Sequence, residues 1–183
     1  MARGNRDQEF HEAIWETLGP VDDEIFYAVG ASTPDKKQIS RVESLLPVEV
    51  PSEFVALTKR TNGVSIIARP EAWPEPELFS VAPAWTFWRG VVLLGFDVED
   101  LPEWASILTA SEKVAEWGVG SVVPLIMVLG DGSRFWGVDA DGTSVLITEG
   151  EVEKLEVTIP EIYAEQIAEL VERQRQITAP TNN

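Results

Sequence analysis

The chain has no cysteine, one histidine and two methionines, and its 14 basic residues are outnumbered by 31 acidic ones. The missing cysteines exclude disulfides, thiolate metal sites and cysteine nucleophiles together. A single histidine excludes a multi-histidine metal centre. It also argues against a histidine-based triad, because His11 falls on the polar side of the first predicted helix. No apolar run approaches the roughly 20 residues that span a bilayer. The opening "MARGNRDQEF" is polar and lacks a hydrophobic signal core, so a cytoplasmic location is expected.

At 183 residues, 44% apolar and 25% charged, the chain suits one domain with a sizeable core. The net charge is −17. From Asp97 to Glu161 there are fourteen acidic side chains against three basic ones (Lys113, Arg134 and Lys154), a local net of −11. Such a surface repels phosphate backbones and anionic lipid, so neither nucleic acid nor a membrane is an expected partner. It attracts a basic partner and speeds the encounter at low salt.

Periodicity predicts a helix over about 6–18, where Phe10, Ile14 and Leu18 share a face before Gly19-Pro20. "VDDEIFYAVG" is ambiguous between strand and helical turn. "STPDKKQISRVESLLP" reads as a helix with Thr33 as cap and Pro34 at its first position. Pro51 opens a further helix that carries Phe54 and Leu57, and Asn62-Gly63 ends it in a left-handed turn before the strand "VSII". Residues 69–90 hold Pro70, Pro74, Pro76 and Pro83, which exclude a long helix, although "ELFSV" and "WTFWRGVVLLGF" are candidate strands. A helix over about 106–117, three short strands ("SVVPLIMVLG", "SRFWGVD", "TSVLIT") and a long C-terminal helix follow. Residues 1–177 are expected to form the domain and 178–183 a disordered tail.

"LGDGSRFWGVDADGTSVLIT" is the stretch that most resembles a chemical site. With Gly142 at the sixth position of a calcium loop, Asp139 and Asp141 fit the third and fifth. Gly137 and Thr148 then occupy the first and last positions, and neither supplies the ligand required. Asp139 and Asp141 as paired catalytic carboxylates compete with a simpler reading, since aspartate beside glycine at a strand end is turn chemistry. Asp131-Gly132 and Asp141-Gly142 are spaced as two hairpin turns around one strand, which predicts a three-stranded meander. "GVGSVV" lacks the third glycine of a dinucleotide fingerprint, and no phosphate-loop lysine motif occurs. No catalytic residue, cofactor or metal is predicted.

Of the seven tryptophans, most suit core packing. Trp73, Trp85 and Trp88, in the proline-rich segment, are the candidates for an exposed patch for protein recognition or for stacking on a sugar ring.

Two segments resemble the SUKH superfamily, which includes fungal Smi/Knr cell-wall regulators and many bacterial immunity proteins. In "ISRVESLLPVEVPSEFVALTKRTNGVSI", Glu43, Leu45, Leu46, Pro51, Phe54, Leu57, Asn62 and Gly63 carry the likeness. In "SVVPLIMVLGDGSRFWGVDADGTSVLI" it rests on Val123, Pro124, Gly130, Asp131, Gly132, Phe135, Asp139 and Gly142. The segment between Arg69 and Trp88 has no counterpart in the family pattern. The resemblance implies an α+β fold, a mainly antiparallel sheet flanked by helices, with no catalytic residues. It also implies an immunity protein that neutralises a cognate toxin, and the acidic surface suits a basic one such as a nuclease. A glycan-binding or regulatory adaptor module using the tryptophan patch is the alternative. The residues expected to meet a partner are Trp73, Trp85, Trp88 and Trp136 with the acids Asp97, Glu99, Asp100, Asp131, Asp139, Asp141, Glu149 and Glu151.

Overall fold

A computed structural model describes residues 3–78 and 81–180. Seven strands pair antiparallel in strict chain order: β1 (Phe26–Ala31), β2 (Asn62–Ala68), β3 (Gly90–Leu93), β4 (Val122–Leu129), β5 (Arg134–Asp139), β6 (Ser144–Thr148) and β7 (Glu151–Lys154). Five helices accompany them: α1 (Arg3–Glu16), α2 (Lys36–Glu43), α3 (Ser52–Thr58), α4 (Ile107–Glu116) and α5 (Ile159–Thr178). The chain is thus a single α+β domain with an antiparallel sheet, as the sequence indicates.

The central strands read as continuous apolar runs because both faces of the sheet are covered. Every residue of β2 and β3 is buried. Successive residues of β5 point to opposite faces. Phe135 meets Trp117 at the end of α4, with ring centroids 5.7 Å apart. Arg134, on the other face, lies over both Trp136 and Trp88, and Arg173 of α5 lies over Trp88 as well. The helices α4 and α5 therefore sandwich the sheet, and α1 packs against both α3 and α5, with Phe10 edge-on against Phe54 of α3.

The helix starts follow local chemistry. Thr158 and Glu161 form a reciprocal capping box at α5, and the Ser106 hydroxyl accepts the Thr109 amide at α4. The α2 cap is Asp35 rather than Thr33. Its carboxylate accepts the Gln38 amide and the Gln38 side chain returns a bond to Asp35 N, so this capping box overrides the proline signal one residue earlier. Three further expectations are corrected, and a fourth lies partly outside the described residues. The strand around "VVLLGF" begins only at Gly90, because residues 84–87 form a 3-10 turn behind Pro83. "ELFSV" includes Phe79 and Ser80, which lie outside the described residues, and its other members are not in a strand. α5 continues through Thr178, beyond the expected domain end. His11 is half-buried, with its ring edge-on to Trp15 rather than on an open polar face. Burial, then the Arg60 charge, lowers its pKa and favours the neutral imidazole.

The sequence presents Asn62-Gly63 as a helix stop, and Gly63 does adopt a positive φ of 64°. The asparagine itself is fully buried. Its amide nitrogen donates to Ser32 O (3.1 Å) and Phe96 O (2.9 Å), and its carbonyl accepts from Phe96 N (2.9 Å). One side chain thereby ties the start of β2 to the segments that follow β1 and β3.

Candidate functional site

The two aspartate-glycine turns form as expected. Asp139 Oδ1 accepts the Asp141 and Thr143 amides at 2.9 and 3.0 Å, and Gly142 takes a φ of 79°. Asp131 is buried and accepts from Ser133 N, Ser133 Oγ and Arg134 Nε. Asp139 also pairs with Lys154 of β7 at 3.0 Å. That ion pair, with the turn amides, holds the Asp139 carboxyl below its ordinary range. Asp131 and Asp139 are therefore occupied by their own turns, whereas the Asp141 carboxylate accepts no hydrogen bond among the described residues.

The tryptophans distribute differently from the expected patch. Trp73 is 4% exposed, and its indole N–H donates to Thr86 O at 2.8 Å, so it belongs to the core. Trp88 is half-buried beneath two guanidinium groups, Arg134 at 4.8 Å and Arg173 at 6.0 Å from its ring centre. Trp136 is buried and Trp85 half-buried. Trp88 acts as a pin between the irregular segment, β5 and α5. Trp88→Ala should lower stability by about 2 kcal/mol and raise the protease sensitivity of residues 81–89 in a limited-digestion assay. An unchanged digestion pattern would count against the pin.

The acids divide among separate places. Asp97, which accepts a short bond from Ser106 Oγ, lines a groove together with Glu99 beside Gln38 and Arg41 of α2. Asp100 is exposed and accepts from the Ser32 amide and hydroxyl, which lower its pKa. Glu149 and Glu151 flank the β6–β7 turn, at the opposite end of β6 from Asp141. The twelve expected residues therefore do not form one face. Trp73, Asp131 and Trp136 are interior and present no surface to a partner.

What the fold does assemble is an open cleft of about 820 Å³ between α1, the start of α3, the β5–β6 turn and the start of α5. Phe10, Val50, Phe54, Val138 and Ile159 supply apolar lining. Six carboxylates surround it: Glu9, Glu49, Glu53, Asp139, Asp141 and Glu161. Arg6 is the one cation that lines it, and it joins no ion pair among the described residues. Glu161 is committed to the α5 cap and Asp139 to its turn and Lys154, while Glu9 accepts from Asn5. Glu49 and Asp141 accept no side-chain bond among the described residues, and Glu53 has only its neighbour's hydroxyl, Ser52, at 3.3 Å. Only Asp139 and Asp141 of this set were anticipated. Glu9, Glu49 and Glu53 carry no local signal beyond two acids flanking the proline that opens α3.

Acid crowding reaches one residue further. Glu43, at the end of α2, is half-buried, and burial first, then the neighbouring Glu49 charge, raises its pKa. The folded state therefore holds this proton more tightly than the unfolded chain. Its ionised form destabilises the fold above the folded pKa, and the penalty fades as pH falls toward the unfolded value. Glu43→Gln should stabilise the protein by about 0.5 kcal/mol at neutral pH. The gain should vanish in thermal melts near pH 4. A pH-independent gain would assign the effect to packing.

No family model matches the chain, and no curated protein is significantly similar to it in sequence. The likeness to the SUKH superfamily therefore rests on the motifs themselves.

Proposed function

We propose that this chain is a cytoplasmic, non-enzymatic immunity protein of SUKH type that binds and neutralises a cognate basic toxin. The observation that carries this reading is the apolar-lined cleft in which six carboxylates face a single arginine, on a chain of net charge −17. Such a surface accelerates encounter with a cationic protein and rejects anionic ones. A nuclease is the toxin class that fits best, because its phosphate-binding groove is basic and an array of carboxylates can take the phosphates' place. The absence of a helix long and apolar enough to cross a membrane, among the described residues, is compatible with this role.

The glycan-binding alternative draws less support. Of the three tryptophans it needs, Trp73 is interior and Trp88 is covered by arginines, which leaves Trp85 beside the exposed Phe87.

The test is protection. The product of the adjacent reading frame should arrest growth when expressed alone, and co-expression of this chain should restore it. Purified, the pair should form a complex that weakens steeply with salt. Arrest that persists with the chain in excess, or a neighbour without effect on growth, would overturn the proposal.

A further inference from the structure

We infer that the cleft between α1, α3 and the β5–β6 turn receives an arginine-bearing segment of the basic partner, its hydrocarbon stem on the apolar lining and its guanidinium among Glu49, Glu53 and Asp141. The inference rests on the basic-partner reading and assigns that partner a place to bind.

Three features point to this occupant. The first is charge: six carboxylates line the cleft with one cation among them, Lys154 offsets Asp139 from outside it, and Glu49, Glu53 and Asp141 have no ion-pair partner among the described residues. The second is the spacing of those acids. No three of the histidine, aspartate or glutamate side chains among the described residues come together closely enough to hold a metal ion. Charge spread around a cleft of about 820 Å³ suits an extended, multiply charged segment better than a point ion. The third is the apolar lining. Phe10, Pro51 and Pro160, each partly exposed, offer hydrocarbon beside the acids, which matches a side chain with an apolar stem and a charged head. Arginine suits this better than lysine, because its planar guanidinium is more weakly hydrated and forks onto carboxylates.

Arg6 sits in the wall as the chain's own cation. It partly neutralises the site in the free protein and opposes a second positive charge. Removing it should therefore tighten binding, an outcome that structural damage would not produce.

The experiment titrates a hexa-arginine peptide into the isotope-labelled full chain at low salt and follows backbone amide shifts. Shifts are expected to concentrate on residues 9–13, 50–53 and 140–142. The double variant Glu49→Lys/Asp141→Lys should weaken binding about tenfold or more, whereas Glu165→Lys/Glu172→Lys on the exposed side of α5 should change it less than about threefold. Arg6→Ala should tighten binding about twofold to threefold, and hexa-lysine should bind more weakly than hexa-arginine. Shifts spread evenly over all acidic surfaces, or equal losses from the two double variants, would overturn the cleft assignment while leaving the basic-partner reading standing. Localised binding with no protection in the growth assay would do the reverse. No binding of hexa-arginine at low salt overturns the assignment outright.

Discussion

A methyl group at position 137 is expected to prevent this domain from folding. Gly137 lies in the middle of β5, opposite Pro124 of β4, where the pairing slips by a residue. Proline has no amide hydrogen to give the ladder, and the bulge there lets β4 continue without one. The bulged backbone comes so close that a Cβ on Gly137 would overlap the Val123 carbonyl and crowd Pro124 Cα. These are backbone atoms in the centre of a seven-stranded sheet, so no side chain can swing aside. Gly137→Ala should destabilise by more than about 4 kcal/mol, beyond the range of ordinary substitutions. Soluble expression should fall sharply, and any purified protein should lack cooperative melting. Two glycine controls separate this cause from a general intolerance of alanine. Gly120 has open space around it, and Gly120→Ala should be close to neutral. Gly142 also has space but takes a φ of 79°, so Gly142→Ala should cost about 1 kcal/mol through backbone strain alone. A Gly137→Ala variant that melts like the parent would show that the β4–β5 register is not the one described.

Asn62→Ala should be the next most damaging change. Truncation leaves the buried Phe96 N and Phe96 O without the partner they have in the fold and removes a further bond to the carbonyl of the exposed Ser32. Each buried group left unpaired costs about 1–3 kcal/mol. A total of about 4 kcal/mol follows, which for a chain of this size lowers the melting temperature on the order of 10 °C. Asn62→Asp should be no better, because a carboxylate cannot donate to the two carbonyls and carries an unpaired charge into the interior. Hydrogen exchange at the Phe96 amide is the direct readout, and it should accelerate more than that of neighbouring β3 amides. Equal acceleration throughout the sheet would mean that Asn62 contributes only to global stability and does not anchor the segment after β3.

Asn62 stands where the sequence presents a helix-ending turn and Gly137 inside a segment it presents as a strand, and neither pattern shows the distant atoms that make the residue necessary. The hairpins around Asp131-Gly132 and Asp141-Gly142 form as read, since each is fixed by an aspartate bonding amides two to four residues away. Helices with strong periodicity and local caps were equally readable, and the α2 boundary moved only because one cap competed with another two residues off. The edge strand β7 was not readable. "EVEK" is short, charged and exposed, and it is a strand only because β6 offers it a ladder. The role of Gly137 was hidden for a related reason, because the atoms that forbid a side chain there belong to β4.

The candidate site divides along the same line. The sequence by itself determined the acidity of the molecule, the architecture of its hairpins and the absence of thiol or multi-histidine chemistry, because composition and short-range bonding depend on nothing distant. Tertiary structure alone decided that Trp73 is interior and that Trp88 lies under two arginines. It also decided that Glu9, Glu49 and Glu53 meet Asp141 around one cleft. Those four acids come from α1, from the entry to α3 and from a hairpin turn far along the chain. Only the packing of helices on the sheet brings them together, so no local pattern could have marked them as a group.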